Sequence, residues 1–379
     1  MGGVPGYWRL WNGGLARPLP APPARAAAPA GRRRVLLVAT LFKLPYRVLR
    51  CASATGVEVF VLAAPGAMGL GRSRHCAGLI ASNHIVNGSR DPELALEINS
   101  LAQTLGAGMV IPGDAAATRA LIANRDLLDV ACFPLPSLEQ FDRLNDKWAF
   151  AQLCREVGVR TPRARLFADA EALAAELGSS NGNYPSVAKA LSLSGSQGMV
   201  AFDAAPTRAQ LANVNYRPVL LQDFVAGDDI CASVFCRGGR IVGFIAYRFA
   251  KGTYTAFRDA GIYADVDRIV GPLGVDGVYN FDMRQTPAGE VYYLECNPRF
   301  FFKIDLAMIA GVNFVALALD ERRRSAPTTV RETVEFTYPL ALLRSPRRWP
   351  RLSRRDARLA LHVYSDPVAH LLDRLGIMT

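Results

Sequence analysis

The stretch Val278-Tyr-Asn-Phe-Asp-Met-Arg-Gln-Thr-Pro-Ala-Gly-Glu-Val-Tyr-Tyr-Leu-Glu-Cys-Asn-Pro-Arg299 reads as two short strands closed by a turn at Pro287, Ala288 and Gly289. Pairing the strands about an Ala288-Gly289 loop sets Asp282 opposite Glu295 and Asn280 opposite Asn297. Alternation then puts all four on one face of the hairpin. Carboxylates that face each other repel, and a sequence keeps such a pair where a cation sits between them. An oxygen-only set of two carboxylates and amides suits Mg2+ rather than zinc. The plainer alternative is a solvated polar face on an edge hairpin. Cys296, between Glu295 and Asn297, must point the other way and is expected to pack in the core.

Around this stretch lies a chain of 379 residues, half of them apolar, enough to bury the cores of two or three domain-sized units. The net charge of +11 is concentrated at the ends. Residues 1–50 hold nine Lys or Arg and no acid, and residues 322–358 hold eleven Arg against Glu332, Glu335 and Asp356. The body between them is mildly acidic, so the basicity says little about a central site. Trp349 is the only Trp of the Arg-rich segment, which reads as a solvated basic helix, and no nucleic acid is expected as a partner. The seven cysteines are scattered without a C-x-x-C pair and the four histidines lack metal-ligand spacing, which points to reduced thiols and a cytoplasmic protein. The longest apolar run, residues 306–319, contains Asn313 and is too short to span a bilayer.

Residues 1–31 are rich in Pro, Ala, Gly and Arg and are expected to be disordered. Their acid-free, Arg-rich character is also that of an organellar transit peptide, although no Ser precedes Ser53; an over-extended start site is the other reading. Val35-Leu-Leu-Val-Ala-Thr40 is a buried-strand run, followed by a helical segment over 46–55 and a second strand over 57–62. This order opens a parallel α/β unit. A dinucleotide fold would place G-x-G-x-x-G after the first strand; the chain has Thr40-Leu-Phe-Lys-Leu-Pro45, which argues against a nicotinamide or flavin role. Gly66, Gly69 and Gly71 read as a flexible loop. A helix over 92–105, a strand over 108–112 and a helix over 115–124 complete the unit, and 137–158 reads as two helical pieces. Lys147 heads the second piece and, taken alone, is a solvated surface lysine.

Two further signals concern phosphate and nucleotide. Tyr184-Pro-Ser-Val-Ala-Lys189 is a strand ending in lysine, and Ser192-Leu-Ser-Gly-Ser-Gln-Gly198 follows at once. Small residues let the backbone approach an anion while Lys189 supplies a point charge; a mobile surface hairpin would look the same. Val219-Leu-Leu-Gln-Asp-Phe-Val-Ala-Gly-Asp-Asp229 is an apolar strand leaving through Gln222 into an acidic turn. Such an edge can hydrogen-bond a purine, and an acid beyond it can accept from ribose hydroxyls. Residues 230–249 read as a hairpin turning at Gly238-Gly239.

The ordered series Asp146-Lys147, Val187-Ala-Lys189 with its Ser/Gly loop, Gln222 to Asp229, Asp282, and Glu295-Cys-Asn297-Pro-Arg299 resembles the ATP-grasp superfamily over about residues 33–320. The branch is that of carbamoyl-phosphate-synthetase-like and D-alanine:D-alanine-ligase-like enzymes. The resemblance implies an α/β and α+β fold: an extension over 1–31, a pre-ATP-grasp α/β domain over 32–135, linker helices and a first ATP-clamping lobe over 136–225, a second lobe with the metal site over 226–320, and a basic, helical C-terminal tail over 321–379. It implies ATP and Mg2+ as cofactors, and activation of a small-molecule carboxylate to an acylphosphate that an amine captures. An ATP-grasp kinase and a non-catalytic nucleotide-binding scaffold are the alternatives, and a homodimer is an open option. By the same resemblance Lys147 and Lys189 contact the phosphates beneath the loop Ser194, Gly195, Ser196. Gln222, Asp223 and Val225 border adenine and Asp229 holds the ribose. Asp282, Glu295 and Asn297 ligate magnesium, Arg299 faces the transferring phosphoryl, and Arg284 is a substrate candidate. The chain departs from the family pattern at Ala190, at Gln222, and at Phe300-Phe-Phe-Lys303, where bulky aromatics are expected to narrow the acceptor pocket.

Overall fold

The computed structural model describes residues 33–82, 84, 86–179, 183–192, 197–320, 326–343 and 352–375. The extension over 1–31, the loop Ser194, Gly195 and Ser196, and Trp349 lie outside the described residues. Strands β1 (Arg34–Ala39), β2 (Glu58–Ala63), β3 (Cys76–Ala81) and β4 (Ala107–Pro112) form a parallel sheet of order β3-β2-β1-β4. β1 is an unbroken apolar run because helices cover both faces of such a sheet. The helix Pro92–Leu105 has its expected limits: Asp91 caps the first turn, Pro92 opens it, and Gly106 at φ 63 ends it in the left-handed region. The glycines at 66, 69 and 71 belong to an ordered 3-10 helix, Pro65–Arg72, not a flexible loop; Ala67, Gly69 and Leu70 pack inward and hold it. β1 has β2 on one side and β4 on the other, so the strand order reverses between β1 and β4, and at their carboxyl ends Asp114 joins the two loops by accepting from Thr40 N and Leu41 N.

Helices Leu138–Asn145 and Lys147–Glu156 lead into an antiparallel sheet of β5 (Ala164–Phe167), β6 (Ser186–Lys189), β7 (Val200–Phe202) and β8 (Val219–Asp223), ordered β5-β8-β6-β7. The larger sheet contains β9 (Asp228–Arg237), β10 (Arg240–Ala250), β11 (Thr253–Phe257), β12 (Gly277–Gln285), β13 (Val291–Asn297) and β14 (Val334–Thr337), ordered β13-β12-β9-β10-β11-β14. One of its faces is apolar. Phe281, Met283, Tyr293 and Cys296 pack there against Ile262, Val266, Ile269 and Val270 of the helix Ala260–Val270. The other face carries the polar residues of β12 and β13.

The C-terminal segment is helical, as read from the sequence, but it is not a solvated appendage. β14 extends the large sheet beside β11. Leu359 and Val363 of the helix Arg354–Tyr364, and Ala369 of the helix Pro367–Leu375, are buried in the main core. Asp356 accepts from Thr337 N (2.8 Å), Asp373 pairs with Arg47 (3.0 Å), and Asp366 accepts from Ser73 Oγ. The segment thus straps the N-terminal unit to the large sheet. Its twelve arginines obscured apolar residues spaced four apart, and that spacing is what docks it.

Candidate active site

Register builds the site. Asp282 pairs with Glu295 and Asn280 with Asn297, as the sequence predicts, but the turn is one residue longer than an Ala288-Gly289 loop. Gly289 N donates to Thr286 O and Thr286 N to Glu290 O, each at 2.9 Å, with Gly289 at φ 86, so three residues make the loop. Leu294 restores the register: the pairing shifts there, leaving it as an unpaired bulge residue. The bulge also lets Tyr293 and Cys296, three positions apart, both enter the core. The two offsets cancel, and both acids emerge on the polar face.

There, Asn297 Nδ2 donates to Asp282 Oδ2 (3.0 Å) and more weakly to Glu295 Oε1 (3.4 Å). Lys147 Nζ lies 3.1 Å from Glu295 Oε2. Lys147 is therefore not a surface lysine; it is 7% exposed, because Asp146 caps its helix and Lys147 N donates to Leu191 O, turning the side chain toward the hairpin. Burial, reinforced by Glu295, pushes Asp282 up to about 6. Burial also acts to raise Glu295, yet Lys147, the hydrogen bond with Asp282, and Lys189 together hold it below its ordinary value. The pair titrates as a unit in which Glu295 gives up its proton first.

From the smaller sheet, Lys189 ends β6 and its Nζ donates to Gln222 Oε1 (2.9 Å) on β8. Burial lowers its pKa to about 8, against the opposing pull of Glu295. An acid at position 222 would pair with this ammonium; Gln222 orients it and leaves its charge uncommitted. Gln222 Nε2 is itself buried without a partner among the described residues. Beyond it, Asp223 Oδ1 accepts from Asn183 Nδ2 (2.7 Å) and Val225 is half-buried. Asp229 and Arg284 meet each other instead of standing free. Arg284 Nε is 2.8 Å from Asp229 Oδ1, its NH1 donates to Gly227 O (2.8 Å), and it stacks over Phe224. Arg284 thus clamps the connection between the lobes. Only glycine fits at 227: φ is 148, and a Cβ would fall 2.1 Å from Gln285 O.

Arg299 donates to Asn297 Oδ1 (2.7 Å) and lies within electrostatic reach of Asp114, which caps the helix Ala115–Ala123 and accepts from Thr40 N (2.7 Å). The polar face thereby meets the carboxyl ends of β1 and β4. The three phenylalanines after Arg299 are not all free to narrow an acceptor pocket. Phe300 packs on Phe133 and Phe301 stacks on Tyr247, both in the core, and only Phe302 is exposed. The sequence reading missed the next rank of residues. Cys231 Sγ donates to Asp282 Oδ1 (3.2 Å), and Ser233 Oγ and Tyr247 OH donate to Asn280 Oδ1 (2.8 and 3.0 Å) while Asn280 Nδ2 donates to Asp282 Oδ1 (2.9 Å). Continuing the alternation from β12 onto β9 and β10 was the signal that would have found them.

No curated protein matches the chain. A family model described as ATP-grasp in the biosynthetic pathway with Ter operon matches residues 215–341. Among solved structures, an N5-carboxyaminoimidazole ribonucleotide synthetase in complex with ADP is similar at 14% identity and TM-score 0.62, over 84% of this chain and 86% of that one. The biotin carboxylase domain of Hydrogenobacter thermophilus 2-oxoglutarate carboxylase, a dimer in complex with MgADP, ADP and bicarbonate, aligns at 17% identity and TM-score 0.59 over 79% of this chain and 73% of that one. An L-amino acid ligase from Bacillus licheniformis aligns at 17% identity and TM-score 0.57 over 76% and 73%. The chain has the ATP-grasp fold.

Proposed function

We propose that the protein is a Mg-ATP-dependent ligase that activates a carboxylate as an acylphosphate and couples it to an amine, releasing ADP and phosphate. The observation that carries this reading is the convergence of Asp282, Glu295 and Asn297 from one sheet with the buried ammoniums of Lys147 and Lys189 from the opposing lobe. The donors fit the cofactors: the acids and amide are oxygen ligands of the kind Mg2+ prefers, and Gln222 Nε2 is an unsatisfied buried donor where adenine would lie. Mg2+, when bound, neutralises phosphate charge and orients the phosphoryl oxygens.

The chain's own residues supply the rest. Asp282, Glu295 and Asn297 are the residues that would hold the ion. Lys147 and Lys189 compensate the phosphates. Gln222, Asp223 and Val225 border the base, and Asp229, fixed by Arg284, borders the ribose. Arg299 balances charge that develops as the carboxylate oxygen attacks the γ-phosphorus and ADP departs. The amine then attacks the acyl carbon and phosphate leaves. On this reading 32–135 is the pre-ATP-grasp domain, and 136–225 and 226–320 are the clamping lobes. Among the described residues no helix is long and apolar enough to cross a membrane.

The test is ADP release across a panel of acid and amine pairs, with mass spectrometry of the product. Glu295→Ala and Lys189→Ala are expected to abolish release while remaining folded. Full activity in either variant overturns the site, stable phosphorylated product without an amine makes the protein a kinase, and binding without turnover makes it a scaffold.

A further inference from the structure

The Lys303 side chain lies on the polar face of the large sheet but takes no part in the site described above. Its Nζ sits 3.7 Å from the centroid of the Phe249 ring. Phe249 lies two residues beyond Tyr247 on β10, so alternation puts it on the face where Tyr247 meets Asn280. Phe301 stacks on that same tyrosine, which fixes the segment from Arg299 to Lys303 over the sheet. Lys303 is half-buried, and its burial lowers its pKa. The acids near it are committed elsewhere: Asp305 to His362 (3.2 Å) and Asp373 to Arg47 (3.0 Å). Among the described residues no carboxylate pairs with Lys303. A partly desolvated ammonium held on an aromatic face, one side open, is a seat for an anion.

Its position relative to the acid pair gives the length of what would bind. β12, β9 and β10 are neighbours, so two strand spacings, about 10 Å, separate the row of Asp282 from the row of Tyr247 and Phe249. We propose that Lys303, seated on Phe249, binds a second anionic group, a carboxylate or a phosphate, on the organic acid that the enzyme activates. The substrate is then a dianion whose reacting carboxyl lies at Arg299 and whose far end is read by Lys303. This deepens the ligase reading and rests on it for the position of the reacting end. The aromatic run after Asn297-Pro-Arg299 accordingly serves to deliver a lysine, with Phe300 and Phe301 as its anchors in the core.

The experiment is calorimetric binding to the full chain saturated with Mg2+ and a non-hydrolysable ATP analogue. The probes are straight-chain diacids from glutarate to suberate, ω-phosphono acids of matching length, and the corresponding monoacids. One dianion length is expected to bind at least tenfold more tightly than its monoacid. Lys303→Met should erase that preference and Lys303→Arg should retain it, with affinity for the nucleotide analogue unchanged as the check on folding. Whether diacids or phosphono acids prevail identifies the distal group. Equal binding of dianions and monoacids, or a preference that survives Lys303→Met, overturns the proposal. Failure of the ligase reading has a different signature: a Lys303-dependent preference for dianions with no ADP release from any of them.

Discussion

Asp282→Asn should make the nucleotide-free protein more stable while destroying its affinity for Mg-nucleotide. In the folded chain the Asp282 carboxyl is pushed from 3.8 to about 6 by burial and by Glu295. That gap corresponds to about 3 kcal/mol spent on holding Asp282 ionised at neutral pH without a cation. Asparagine removes the charge but presents an amide donor where the carboxylate accepted from Asn280, Cys231 and Asn297, and one such lost hydrogen bond costs about 1 kcal/mol. A net gain of about 1–2 kcal/mol remains. Because its folded-state pKa is raised, Asp282 binds more proton folded than unfolded between about 4 and about 6, and its contribution to stability falls as pH rises through that window. The advantage of Asp282→Asn should therefore be absent near pH 4, grow to about pH 6 and be constant above. Denaturant titrations of both proteins across that range, with and without Mg2+ and an ATP analogue, measure it. A variant less stable than wild type at pH 7.5, or one still stabilised by Mg-nucleotide, refutes the claim that the acid pair is kept, at a cost in stability, to bind a cation.

Two further outcomes follow from the same geometry. Nucleotide affinity, followed with a fluorescent analogue, should fall as pH rises through about 8, where Lys189 loses its proton; Lys189→Arg should flatten that limb, and a flat wild-type profile would remove Lys189 from the phosphate site. Leu359→Ala, at a fully buried position in the C-terminal strap, should lower stability by about 2–5 kcal/mol in denaturant unfolding. A change near zero would return that segment to the status of an appendage.

The amino-acid sequence by itself carried the strand–helix–strand opening, the caps of the helix Pro92–Leu105, and the pairing of Asp282 with Glu295, because side-chain alternation and capping depend on neighbours a few residues away. Even that pairing was reached through a turn one residue too short, with the bulge at Leu294 absorbing the difference. Only the tertiary structure decided the rest. Lys147 became a buried partner of Glu295 across 148 positions of sequence (295 minus 147), Asp229 was claimed by Arg284, and two of three phenylalanines left the pocket for the core. The Arg-rich end became a strap for the same reason. Which face of a helix or strand is enclosed depends on what distant segments lay against it, and burial, once imposed, selects the partners and shifts the charges that local pattern leaves open.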